Sequence, residues 1–114
     1  MTTPIPGQKV RGSKSGQPIM AIFDLLGKRW ALGIIWQLNN DTLTFRQLQD
    51  RCDTISPGVL NTRIKELREA DIIERSIDGY QLTKRGNDLR EALTPIGNWS
   101  TTWAKEVFDY KQKK

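Results

Sequence analysis

Asn61, Thr62 and Lys65 bring an amide, a hydroxyl and an ammonium close together in the chain. Those are the groups that read base edges and hold phosphates. At about 100° per residue along a helix they share one side with Gly58, while Leu60, Ile64 and Leu67 recur at spacings of four and three on the other. That second side faces a core. The chemistry is recognition rather than catalysis. With no histidine and a single cysteine, Cys52, the chain has neither the usual metal sets nor imidazole for acid–base work. No Gly-rich phosphate loop or cluster of carboxylates supplies an alternative, so no enzyme with named roles is assembled and no cofactor or metal is expected.

The elements that position this face follow from local signals. Ser56 suits an N-cap and Pro57 the first helical position, which predicts a helix over 56–70. Upstream, Thr44 with Gln47 forms a capping-box pattern for a helix from Phe45 to about Cys52, with Phe45, Leu48 and Cys52 inward. Asp53, Thr54 and Ile55 make a short turn between the two. Two short helices joined in this way, the second with a polar outward face, are a helix-turn-helix. Ile72 to Ile77 then alternates apolar and charged residues, Asp78-Gly79 supplies a two-residue type I′ turn signal, and Tyr80 to Thr83 returns. This hairpin over 72–83 is a wing, short enough to touch a phosphate but not to enter the minor groove deeply. Arg75 and Lys84 are either phosphate contacts or solvated surface charge. Thr42 and Leu43 have room for a minimal strand.

Before these elements, Ile19, Ile22, Phe23 and Leu26 mark a short amphipathic helix stopped by Gly27. A second helix, from about Arg29 to Leu38, is too apolar all round for a surface helix and belongs at the centre of the core. Gly33 within it predicts close packing of a neighbour. After the wing, Thr83 caps a last helix in which Leu89, Leu93, Ile96, Trp99, Trp103 and Val107 follow at threes and fours. Thr94-Pro95 should kink or restart it. Trp99, Trp103 and Phe108 are a large aromatic investment at the end of a small chain. That face either folds back on the core or, with the first helix, forms a dimer interface from Ile19, Ile22, Phe23, Leu93, Ile96, Trp99 and Trp103.

The 114 residues suit one domain over 17–109, mainly α with a small β-hairpin. Residues 1–16, with Lys9, Arg11 and Lys14 among Pro, Gly, Ser and Thr, read as a mobile basic arm that reaches along DNA or simply frays. The basic tail is 110–114. Eighteen Lys and Arg against thirteen Asp and Glu give a net charge of +5, which favours polyanionic partners. No apolar run approaches the roughly 18 residues of a bilayer span and no hydrophobic leader follows the N-terminus, so a cytoplasmic protein is expected.

The segments GKRWALGIIWQL, TFRQLQDRC, ISPGVLNTRIKELREADII, YQLTKRG and LTPIGNW with Trp103 resemble the HxlR-type, MarR-related winged helix-turn-helix regulators of bacteria. The resemblance implies a homodimeric transcriptional regulator that binds a palindromic operator, one recognition helix per major groove. It places Ser56, Pro57, Gly58, Asn61, Thr62, Arg63 and Lys65 on the DNA-facing helix, and Trp99 and Trp103 on the dimerising one. A winged helix used only for protein–protein interaction is the alternative function. Regulators of this kind also suggest a small-molecule effector, for which Phe23, Trp30, Trp36 and Trp99 would line a cleft unless they simply pack. Three departures stand out. Redox-sensing members carry a cysteine where Gln17 precedes Pro18, the wing is shorter than usual, and Gly58 replaces a polar side chain. Cys52 falls where the family has an apolar core residue.

Overall fold

Pro18 opens the first helix at a position where its missing N–H leaves nothing unsatisfied, and Gly27 ends it. The computed structural model describes residues 17–109; the basic arm and tail expected at either end lie outside the described residues. In chain order the elements are α1 (Pro18–Leu26), α2 (Ala31–Gln37), α3 (Phe45–Arg51), α4 (Pro57–Glu69), β1 (Ile73–Ser76), β2 (Gly79–Leu82) and α5 (Lys84–Phe108). This is five helices with a two-stranded antiparallel wing, a winged helix-turn-helix.

The caps are those the side chains dictate. Thr44 Oγ1 accepts the Gln47 N–H at 3.1 Å while Gln47 Oε1 accepts the Thr44 N–H at 2.9 Å, closing the capping box of α3. Ser56 Oγ accepts the Val59 N–H at 3.2 Å to start α4. Between them Asp53 adopts a left-handed φ of 57°, a conformation its short side chain tolerates, and this turns the chain from one helix into the next. The core lies where α2, α3, α4 and the wing converge, with Ile34, Ile35, Leu38, Leu48, Leu60, Leu67 and Ile73 fully enclosed.

Four expectations change. The second helix begins at Ala31, because Trp30 is its N-cap in a left-handed conformation with φ 76°. Nor is that helix buried all round: Leu32, Gly33 and Trp36 face outward, and nothing packs on Gly33. The wing turns one residue earlier than expected, since Ser76 pairs with Gly79 and leaves Ile77 and Asp78 as the loop. Neither has positive φ, so the turn is not type I′. Gly79 is required for another reason: at φ 136° its missing Cβ leaves room for the backbone of Leu43, which pairs with Tyr80 as the expected minimal strand. Finally, α5 runs unbroken through Pro95 instead of restarting there. Its 25 residues extend about 37 Å, close to the 39 Å longest dimension of the molecule.

Candidate nucleic-acid interface

Along α4 the division of faces is sharp. Leu60, Ile64, Glu66 and Leu67 are buried, whereas Ser56, Pro57, Gly58, Asn61, Thr62, Lys65 and Arg68 are exposed. Among the described residues, the side chains of Asn61, Lys65 and Arg68 make no hydrogen bond or ion pair, and all three are charged or bidentate donors. Thr62 is half committed, since its hydroxyl donates to the Gly58 carbonyl at 3.0 Å and keeps only acceptor capacity. Ser56 is occupied by its cap.

Between α4 and the wing runs an open groove of about 510 Å³, lined by Asn61, Ile64, Lys65, Arg68, Glu69 and Tyr80. The strand register sets Arg75 opposite Tyr80, and its guanidinium lies over the Tyr80 ring at 5.6 Å. Lys65 and Arg68 therefore line the groove, and Arg75 stacks on the Tyr80 ring that lines it with them. Arg68 was not among the expected contacts, although its spacing of three from Lys65 and seven from Asn61 is the helical signal that marks this face.

Two expected contacts are placed elsewhere. Arg63 turns inward: its Nε donates to the Arg29 carbonyl at 2.8 Å and its Nη1 pairs with Glu66 at 2.9 Å, leaving the side chain 12% exposed. With Nε and Nη1 engaged in this way, the guanidinium is directed toward the protein and away from the outward face of α4. Lys84 lines a separate depression at the foot of the wing together with Asp71, Arg85 and Asp88. Arg85 fills the same depression by pairing with Asp71 at 3.0 Å.

The other outward feature is apolar. Ile19 and Phe23 on α1, and Ile96, Trp99 and Trp103 on α5, are all exposed, while Ile22 and Leu93 are half-buried. Leu32 and Trp36 on α2, unforeseen because that helix read as core, join this set, as do Val107 and Phe108. Cys52, by contrast, is buried in the core, and burial pushes its thiol above the ordinary value.

Residues 25–108 match the family model described as HxlR-like helix-turn-helix. This chain belongs to the HxlR-like family. Among HxlR-like relatives, the HTH-type transcriptional regulator YvaP of Bacillus subtilis is 32% identical over 92 residues, covering 75% of this chain and 85% of its own length. The quinone-bound structure of B. subtilis YodB superposes with a TM-score of 0.70 at 32% identity, over 74% of this chain and 96% of that one. A possible HxlR family transcriptional factor from Thermoplasma volcanium gives 0.68 at 28% identity, over 78% and 86%. The HxlR-like assignment makes this chain a transcriptional regulator of the winged helix-turn-helix type, not an enzyme. Among the described residues no helix is long and apolar enough to cross a membrane.

Proposed function

We propose that this HxlR-like regulator binds a two-fold symmetric operator as a homodimer in the cytoplasm. Each protomer sets α4 in a major groove, Asn61 reads base edges with Thr62 as an acceptor, and Lys65, Arg68 and Arg75 hold the flanking phosphates. The observation that carries this reading is the uncommitted set Asn61, Lys65 and Arg68 on a helix whose opposite face is buried. Ser56, Pro57 and Gly58 bring the start of α4, the positive end of its helix dipole, toward the phosphates.

Dimerisation is supported by the apolar residues left outward on α1, α2 and α5. A surface of this kind on a regulator that reads symmetric DNA is suited to a second copy of itself. With a two-fold dimer the recognition helices lie about 34 Å apart, one turn of DNA, or a multiple of it. The quinone-bound form of YodB supports a small-molecule signal for this chain as well.

Footprinting on the DNA upstream of its own coding sequence tests the function. Two protected half-sites whose protection fades as salt rises are expected. Absence of any salt-sensitive footprint, together with a stable complex with another protein, would favour the interaction-module alternative.

A further inference from the structure

Glu66 is an acid on the buried side of α4, only 2% exposed. Its two oxygens face different partners: Lys28 Nζ reaches Oε2 at 2.5 Å, and Arg63 Nη1 reaches Oε1 at 2.9 Å. Arg63 extends the network through Nε to the Arg29 carbonyl at 2.8 Å. Lys28 and Arg29 belong to the turn between α1 and α2, the two helices that carry Ile19, Phe23, Leu32 and Trp36 outward. One ionic arm, Lys28 to Glu66, and one backbone bond, Arg63 to the Arg29 carbonyl, therefore tie the recognition helix to the turn between two helices of the exposed apolar face, while the Arg63–Glu66 pair couples those two ties within α4.

The turn itself is held in an uncommon shape. Trp30 has φ 76°, a left-handed conformation that a bulky residue adopts only when its surroundings impose it. Arg29 stacks over the Trp30 ring at 5.4 Å, and the ring packs against the core. Only a planar guanidinium offers donors in fixed directions to both the Arg29 carbonyl and Glu66, so Arg63 transmits the position of the turn as well as its charge. A hydrophobic contact at this place would leave α4 free to slide or roll. Paired charges with defined bond directions do not.

We infer that Lys28, Arg63 and Glu66 form a positioning brace that fixes the attitude of α4 relative to the dimer face and thereby sets the half-site spacing the regulator accepts. The inference rests on the dimeric DNA-binding reading above. Each base pair inserted between half-sites moves them about 3.4 Å and rotates them by about 34°, so a rigid pair of recognition helices accepts one spacing. A loosened brace accepts several. None of the three side chains then needs to touch DNA to determine which operator is chosen.

Binding sites selected by the wild-type protein from a random-sequence DNA pool supply the starting operator. Variants of it with one base pair added or removed between half-sites are then titrated with wild type, Glu66→Gln and Lys28→Met. Lys28→Met leaves the Arg63–Glu66 pair in place and keeps a fold even where Glu66→Gln is costly; thermal unfolding verifies both. The wild type should lose about tenfold in affinity per changed base pair, and each folded variant about threefold or less, with base preference inside the half-site unchanged. Folded variants with the wild-type spacing penalty would overturn the brace, as would loss of folding in both, which would assign the cluster to stability alone. Selection of unpaired sites by the wild type would instead overturn the dimeric reading.

Discussion

Trp99 stacks on Trp103 one helical turn away, with ring centroids 5.9 Å apart and planes inclined by 12°. Phe108 meets Trp103 edge-on at 5.1 Å. This aromatic ladder is ordered within α5, yet Trp99 is 64% and Trp103 44% exposed. Replacing both by glutamate removes little that the isolated fold buries but sets charge in the proposed interface. The double variant should keep a cooperative unfolding transition and weaken the dimer by about 2 kcal/mol or more, roughly thirtyfold in dissociation constant. Sedimentation velocity over a concentration series measures this; an unchanged mass distribution would place the dimer contact elsewhere.

Lys65 and Asn61 neighbour the same groove but should fail differently. Lys65→Ala, and likewise Arg68→Ala, should weaken binding to all sequences and lower the slope of log affinity against log salt by about 0.9 for each phosphate left without its cation. Asn61→Ala should leave the slope alone and relax preference at one base position, a change of about 1 to 3 kcal/mol in discrimination if the contact is bidentate. Titrations at several salt concentrations on cognate and single-substituted operators separate the two. Equal loss of slope in all three variants would remove Asn61 from base reading.

Much of this fold is legible because its signals are local. Thr44 with Gln47, Ser56 with Pro57, and Thr83 all announce helix starts through bonds that reach only three residues along the chain. The faces of α4 follow from helical spacing alone. What escapes such reading depends on partners far away in sequence. Arg63 is drawn inward by Arg29 and by an acid that also binds Lys28, 38 residues distant from Glu66. Gly79 serves the passage of Leu43, not the turn it sits beside. Leu32 and Trp36 look like core because apolar character does not tell a face buried by the chain itself from one left outward.

Thr83 and Gly86 join the wing to α5. Thr83 Oγ1 accepts the Gly86 N–H at 2.9 Å and shares its proton between the carbonyls of Asp71 at 2.7 Å and Ile72 at 3.2 Å. A Cβ at Gly86 would collide with the Ile72 carbonyl oxygen. Thr83→Val keeps the volume and loses these bonds, at a cost of about 1 to 2 kcal/mol. Gly86→Ala should cost more, about 2 kcal/mol or beyond, because backbone rather than a flexible side chain must move. Chemical denaturation curves give both values, and a neutral Gly86→Ala would show that α5 can shift along the wing.

Cys52 gives a pH-dependent expectation. Burial raises its thiol, so the folded state holds that proton more tightly than the unfolded chain does. The sign follows: its contribution to stability is complete below the unfolded thiol value and is lost as pH rises through the folded one. Near neutral pH the native thiol is protonated and enclosed, and its alkylation should be about tenfold or more slower than in denaturant. Rapid native labelling, followed by mass spectrometry, would return Cys52 to consideration as a sensor.

Gly58 is the exposed position on α4 where a side chain is missing though space is not: a Cβ there would meet nothing within 4 Å. It shares the polar face with Asn61, Thr62 and Lys65. A lysine in the first turn opposes the helix dipole by about 0.3 to 1 kcal/mol, which the removal of glycine's cost of about 1 kcal/mol roughly offsets. Gly58→Lys should therefore leave stability almost unchanged. On DNA the added ammonium stands near the helix start, where the proposed docking brings a phosphate, and should steepen the salt slope by about 0.9 while raising affinity for all sequences alike. Fluorescence anisotropy at graded salt detects this. A slope equal to that of the wild type would mean that the start of α4 points away from the backbone, and the orientation proposed for the recognition helix would have to be reversed.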